Sequence, residues 1–344
     1  MKNKIKVGIL GATGSVGQKF IELLENHPYF ELNEVCASEQ SAGKKYSEKV
    51  KWIQSTPLNK IAGSLTIKKC TPDLESQVVF SALDSSIAGE IESEFATKGY
   101  HVISNSKNHR WDEDVPLLIP EVNYEHLELL KSQKYEGSIV TNPNCSTIGL
   151  VLSLKPLEKF EIESVNVVTM QAISGAGFPG VPSMSILDNV IPFISGEEEK
   201  LETEPLKILG KIDNGMVVNS KMNISAQCNR VHVLDGHLEV VQVKFKNKPS
   251  KHELIESWKS FRSLPQQLNL PFAPEIPTRY FEEDDLPQPK LQRSIDKGMA
   301  VSIGRLRDCS LFDYKFVIIS HNTIRGAAGG SILCAELMHE KGLI

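Results

Sequence analysis

Along the first half of the chain, short apolar, β-branched runs alternate with stretches whose apolar residues recur at helical spacing. The runs lie at 5–10, 35–37, 78–82 and 101–104, and the helical stretches at 16–25 and 87–98. Continuous rather than alternating apolar runs predict strands buried on both faces, and the helices between them predict parallel pairing. The second half reads differently, with longer strand-like segments at 164–172, 237–246, 299–306 and 315–320 and few clear helices between them. That pattern predicts a mixed sheet in a separate domain. A polar, proline-rich stretch at 271–289 reads as a surface connection or lid, and the charge run at 197–207 as a solvated helix face. Residues 323–341 have amphipathic helical spacing and fit a helix packed back against the first domain.

Composition narrows the partners. At 344 residues the chain exceeds what one core serves, and 40% hydrophobic with 24% charged residues is enough for two packed domains. A net charge of −5 gives no basic field for nucleic acid or anionic lipid. The six cysteines, Cys36, Cys70, Cys145, Cys228, Cys309 and Cys334, form no CxxC pair and have no histidine at ligand spacing, so neither a disulfide framework nor a metal site is indicated. Gly8 and Gly11 interrupt the apolar stretch at 1–10, and no long apolar run occurs elsewhere. The chain therefore reads as cytoplasmic, with no membrane partner.

The first strand runs straight into Gly11-Ala-Thr13-Gly14-Ser15-Val16-Gly17, a glycine-rich turn that opens a helix. Glycines there let backbone N–H groups approach a pyrophosphate at the helix N-terminus, where the macrodipole favours negative charge. The spacing is GxxGxxG rather than GxGxxG, so the preceding strand carries much of the signal. An NAD-specific site places an acidic residue at the end of the second strand, and here that position is Ser38. Ser38, Ser41 and Lys44 suit a 2′-phosphate, hence NADP, whereas Glu39 opposes it. The same residues also suit an ordinary turn.

A second strand–turn–helix junction follows: a short strand to Thr141, the turn Asn142-Pro143-Asn144, then Cys145 on the first turn of a helix. The helix dipole and unpaired N–H groups at that position stabilise a thiolate, the form that attacks a carbonyl carbon. A thiolate adds to an aldehyde and, after hydride loss, leaves a thioester open to a second nucleophile. Taken alone, Cys145 reads more readily as a buried structural thiol, and the surrounding constellation reverses that reading.

Asn142-Pro-Asn-Cys-Ser-Thr-Ile-Gly149 resembles the aspartate-semialdehyde dehydrogenases, specifically their archaeal and fungal branch. So do the N-terminal turn, Ser41-Ala-Gly-Lys-Lys-Tyr46, Gln171-Ala-Ile-Ser-Gly175-Ala-Gly177, Arg230-Val-His-Val-Leu-Asp-Gly-His237 and Asn322-Thr-Ile-Arg-Gly-Ala-Ala-Gly-Gly330. The fold implied is α/β: an N-terminal Rossmann-like, doubly wound parallel sheet (1–147, joined by a C-terminal helix, 322–344) with a second α+β domain containing a mixed sheet (148–321, catalytic and oligomerising). The branch commonly carries arginine where this chain has Gln40, which leaves strict NADP preference against dual NAD/NADP use open.

The resemblance implies roles position by position. Cys145 is the nucleophile and His237 the general acid/base. Arg230 pairs with the substrate α-carboxylate in a planar fork that lysine cannot copy. Glu204 takes the α-ammonium, and Arg110 and Lys207 take phosphate. Gln171 holds the acyl intermediate, and Asn144, through its side chain, or the Cys145 backbone N–H, donates to the oxyanion. Asn322, also an N-cap candidate for the final helix, serves the nicotinamide carboxamide. Cofactor contacts fall to Gly11, Thr13, Gly14, Ser15, Val16, Ser38, Ser41, Ser81, Ser85 and Gly175. Arg110 lies in a polar turn where exposure is the ordinary outcome.

The activity implied is NADP-dependent reductive dephosphorylation of L-aspartyl 4-phosphate to L-aspartate 4-semialdehyde, feeding lysine (through diaminopimelate), threonine and methionine synthesis. Inorganic phosphate is a partner, no metal is used, and the assembly is a homodimer or homotetramer. Archaeal malonyl-CoA reductases share the branch and the chemistry, but an amino-acid substrate needs an anion for its ammonium group, which Glu204 supplies. N-acetyl-glutamyl-phosphate reductases and a non-catalytic nucleotide sensor are more distant alternatives.

Overall fold

The computed structural model describes residues 4–344. Residues 1–3, included above in the N-terminal apolar stretch and the first domain, lie outside the described residues. The chain divides into two compact units, the first formed by residues up to Leu118, Glu125–Asn142 and Ala327–Ile344, the second by Ile119–Tyr124 and Pro143–Gly326.

The first unit is built on β1 (Ile5–Leu10), β2 (Phe30–Ala37), β3 (Lys68–Lys69), β4 (Val78–Ser81), β5 (His101–Ser104) and β6 (Ser138–Thr141), in the order β3-β2-β1-β4-β5-β6. All five pairings are parallel, as the continuous apolar runs predict. β2 is longer than its apolar core, because Glu31, Asn33 and Glu34 precede that core and hide it from a hydropathy reading. The order reverses its direction of growth between β1 and β4, and in such sheets dinucleotides bind beyond the carboxyl ends of the strands at the reversal. The 11–14 turn leaves β1 there. A Cβ on Gly17 would lie 2.3 Å from the Gly11 carbonyl oxygen, so only glycine lets the helix Ser15–Leu23 begin so close to the strand. Phe20 on that helix stacks on Phe80 of β4 at 4.8 Å between centroids.

The helix Gly329–Glu340 belongs to this unit and is buried from 329 to 338. That corrects the amphipathic reading of 323–341: its polar Glu336 points into the core, where its Oε1 meets His27 Nε2 at 2.8 Å. A hydropathy pattern cannot distinguish a paired interior carboxylate from a solvated one.

The second unit is built on β7 (Ile162–Gln171), β10 (Asn223–Arg230), β11 (His237–Phe245), β12 (Thr278–Phe281), β13 (Val301–Asp308) and β14 (Tyr314–Ser320), beside a small hairpin of β8 (Lys211–Asp213) and β9 (Met216–Val218). The order β10-β7-β11-β14-β13-β12 combines parallel end pairs with antiparallel central ones, a mixed sheet. Two edge strands escaped the sequence reading. β10 sets Ile224, Ala226 and Cys228 between polar residues, an alternation the sequence reading passed over, and β12 falls inside the 271–289 stretch taken for a loop, where its four residues are too few to show a period. On β11, His237, Glu239, Val241 and Val243 point to one fully buried face, against which the helix Cys145–Leu154 packs. Trp258 closes this core, its indole N–H donating to the Ser153 carbonyl at 2.8 Å.

Glu239 is buried in that face, and neither carboxyl oxygen has a hydrogen-bond partner among the described residues. Burial raises its pKa well above the ordinary carboxylate value. The unfolded chain releases this proton near pH ~4.3, so above that pH the folded state binds more protons and stability falls as pH rises toward the folded pKa. Glu239→Gln removes the titration. Its Tm is expected to exceed that of the unsubstituted chain by at least about 2 °C at about pH 8 and to match it near pH ~4, by differential scanning calorimetry. An equal shift at both pH values would show that the carboxyl titrates in the fold as it does in the unfolded chain, contradicting the raised pKa.

Candidate active site

The candidate nucleophile begins a helix. Asn144 is the N-cap of Cys145–Leu154, and its Oδ1 accepts from the backbone N–H groups of Ser146 and Thr147 at 3.0 and 3.4 Å. Cys145 is half-buried, and its Sγ lies 3.2 Å from Nε2 of His237. On the other side of that ring, Nδ1 accepts from the Ala172 N–H at 3.1 Å. The neutral ring therefore carries its proton on Nε2, facing the sulfur. Burial, reinforced by the Arg230 charge, pushes the His237 pKa down to about 3, with Glu197 opposing and His321 adding to the fall.

Strand register explains how residues far apart in sequence meet. Arg230 ends β10 and pairs with Gln171, which ends β7, while β11 begins at His237 next to Leu238, which pairs with Met170. Three adjacent strands thus place an arginine, an amide and an imidazole at one edge. Arg230 is buried, and its Nη1 donates to the Ala172 carbonyl at 2.8 Å, so Ala172 is held by Arg230 through its C=O and itself holds His237 through its N–H. Burial lowers the Arg230 pKa, with Cys145 and Glu197 opposing. A Cβ on Gly175 would come within 2.8 Å of Arg230 Nη1 and 3.2 Å of His237 Cε1, so this exposed glycine leaves the approach to both groups open.

The helix Glu197–Ile208 corrects the reading of 197–207 as a solvated face. Glu197, Glu204 and Lys207 are all buried. Glu204 Oε2 accepts from the Asn144 backbone N–H at 2.8 Å. Glu197 accepts from Asn144 Nδ2 with both oxygens at 3.0 Å, from Gln171 Nε2 at 3.2 Å and from Lys200 Nζ at 2.7 Å. The sequence reading missed Glu197. Its signal was its position seven residues before Glu204, two helical turns away on the same face. These bonds turn the Asn144 amide nitrogen toward Glu197. Asn322 is not the N-cap of the final helix, which starts at Gly329 after a π turn at Ile324–Ala328. Its Oδ1 accepts from the Gly236 N–H at 2.9 Å, and its Nδ2 donates to Ser174 Oγ at 2.8 Å.

In the first unit, Gly11, Thr13, Gly14, Ser15 and Val16 form the turn after β1 and the start of its helix, and Ser38 and Ser41 form an exposed to half-buried turn after β2. Glu39, the residue opposing a 2′-phosphate, is paired with Lys69 at 2.8 Å. Exposed Lys44 lies beside Lys49, whose proximity lowers its pKa. Ser85 starts a helix capped by Asp84. Ser81 is buried, and its hydroxyl donates to Glu92 Oε1. Arg110 is not exposed as its polar turn suggested: it is buried, with Nη2 donating to the Asn105 carbonyl at 3.1 Å. Among the described residues, no group of His, Cys, Asp and Glu is placed to hold a metal.

Residues 6–130 match the model of the semialdehyde dehydrogenase NAD-binding domain, and residues 154–325 that of the semialdehyde dehydrogenase dimerisation domain. A curated relative from Archaeoglobus fulgidus, named aspartate-semialdehyde dehydrogenase, is 49% identical over 346 residues, covering 99% of this chain and all of the relative. The chain belongs to the aspartate-semialdehyde dehydrogenase family. Its namesake from Saccharomyces cerevisiae is 45% identical over 366 residues, covering 100% of both chains. The crystal structure of the Candida albicans aspartate-semialdehyde dehydrogenase with NADP superposes with a TM-score of 0.92 at 44% identity, over 99% of this chain and 100% of that one. For a family member, Cys145 and His237 at contact distance are the pair its chemistry requires.

Proposed function

We propose that this enzyme converts L-aspartyl 4-phosphate to L-aspartate 4-semialdehyde reversibly, with NADP(H), through a thioester on Cys145. The observation that carries the proposal is the half-buried sulfur at a helix N-terminus, 3.2 Å from a buried imidazole. The Cys145 thiolate attacks the acyl carbon, the C–S bond forms and phosphate leaves. Bound NADPH supplies the hydride that reduces the thioester. Collapse of the resulting thiohemiacetal expels the Cys145 sulfur, and Nε2 of His237 is the atom through which the proton moves between oxygen and sulfur. On this reading Arg230 takes the substrate carboxylate, Glu204 the ammonium, Lys207 and Arg110 the phosphate, and Gln171 the acyl group.

The glycine-lined turn at 11–17 fits a pyrophosphate, and Lys44 with Lys49 suits the extra phosphate of NADP despite Gln40. Gly175 and Asn322 would serve the nicotinamide end. The buried Glu204 and Lys207, together with the names of the relatives, favour the amino-acid phosphate over a CoA thioester. The matched dimerisation domain is consistent with a homo-oligomer, a homodimer or homotetramer, and Phe178, Met184, Leu187, Val190 and Phe193 expose the apolar surface such an assembly would cover. No described helix is long and apolar enough to cross a membrane, and the cytoplasmic location remains part of this proposal. The test is NADP reduction with L-aspartate 4-semialdehyde, with and without inorganic phosphate, beside NADPH oxidation with malonyl-CoA. Phosphate-dependent reduction of NADP is expected. Turnover of the CoA ester alone would overturn the substrate assignment.

A further inference from the structure

Glu197 has a carboxylate buried among the very groups that the chemistry needs oriented. It accepts from Asn144 Nδ2, Gln171 Nε2 and Lys200 Nζ at 2.7 to 3.2 Å. An ionised carboxylate can only accept, whereas each amide has one donor end and one acceptor end. With its nitrogen turned to Glu197, Asn144 must present Oδ1 to the N–H groups of Ser146 and Thr147, which is the cap observed on the nucleophile helix. For the same reason Gln171 turns its nitrogen toward Glu197 and Thr169 Oγ1 and its carbonyl oxygen away from the carboxylate.

We propose that Glu197 is a positioning residue of the active site, fixing the flip states of the Asn144 and Gln171 amides and setting an anion opposite the Arg230–His237 pair. The proposal rests on Cys145 being the nucleophile. Burial alone would favour the neutral acid, but Lys200 and the two amides outweigh it and hold the Glu197 pKa below the ordinary carboxylate value, so the group is an anion at neutral pH. Its field reaches both partners, raising the pKa of Arg230 and of His237. The charged and titratable groups acting on the imidazole are Cys145 from the nucleophile helix, Arg230 from β10, His321 after β14 and Glu197 itself. Arg230 and His321 lower its pKa, and Glu197 is the one that raises it.

Glu197→Gln keeps the shape but brings a donor to a place built for an acceptor. The expected result is a kcat lower by about 10- to 100-fold with KM for the aspartyl substrate changed less than about threefold. The acid limb of the pH profile, which belongs to the coupled Cys145–His237 pair, should move to lower pH because an anion has been removed. Tm should stay within about 4 °C, which separates positioning from folding. Glu197→Asp, which keeps the charge but draws it back by one methylene, covers the case in which the Gln variant does not fold: kcat falls and the limb stays. A Gln variant with kcat within about threefold of the unsubstituted enzyme and an unmoved limb would overturn the proposal, as would loss of activity only in step with unfolding in both variants. Failure of the nucleophile reading would show instead in the unsubstituted enzyme, as absence of alkylation of Cys145 by iodoacetamide protected by substrate.

Discussion

Cys145→Ala is expected to lower kcat by at least about 10⁴-fold while leaving Tm and NADP binding nearly unchanged, because it deletes the atom on which the acyl group is carried. Cys36 and Cys228 are buried, with pKa values pushed up by burial, to about 12 for Cys228, and neither lies at a helix N-terminus beside an imidazole. Little structural cost is expected, since the side chain is half-buried and its helix is capped by Asn144 rather than by Cys145. Steady-state assays with denaturation curves on the same preparations decide it. A variant keeping more than about a tenth of the rate would have lost only about 1.4 kcal/mol of transition-state stabilisation, too little for a covalent step.

Arg230→Lys comes next in size. The substitution keeps a cation but loses the planar fork, and it withdraws the Nη1 bond to the carbonyl of Ala172, the residue whose N–H fixes the tautomer of His237. Both substrate docking and the imidazole are affected, so kcat/KM is expected to fall by about 10² to 10³, or roughly 2.7 to 4.1 kcal/mol. The loss should appear in KM as well as in kcat. Restoration of activity by added guanidinium with the Arg230→Ala variant would support the guanidinium as the working group. A Lys variant within about threefold of the unsubstituted kcat/KM would remove Arg230 from substrate recognition.

The parts of this molecule legible from sequence are those whose physics is local. Apolar runs marked β1, β4 and β5 because their burial is continuous, and the two strand–turn–helix junctions announced themselves through glycines at 11–17 and through Asn142-Pro-Asn144. Motif order supplied the site residues. What escaped notice depends on partners distant in the chain. Edge strand β12 is too short to show a period and is defined by its pairing with β13, whereas β10 does alternate and was passed over because its apolar positions, Ile224, Ala226 and Cys228, are few and mostly small. Glu197 looked like one more charge in an acidic run, since the amides that bury it lie 53 and 26 positions away. Asn322 looked like an N-cap because no local signal shows that the final helix starts only at Gly329, after a π turn. Arg110, placed in a polar turn, is buried for a reason that no local pattern carries.

The central claim is a covalent acyl group on one sulfur, and mass spectrometry of the digested enzyme addresses it directly. The enzyme is mixed with L-aspartyl 4-phosphate in the absence of NADPH, quenched in acid and digested, with released phosphate measured alongside. The account predicts an aspartyl thioester confined to the peptide carrying Cys145, formed together with an equivalent of phosphate and discharged as semialdehyde when NADPH is added. No adduct, or an adduct that persists in Cys145→Ala, would contradict it.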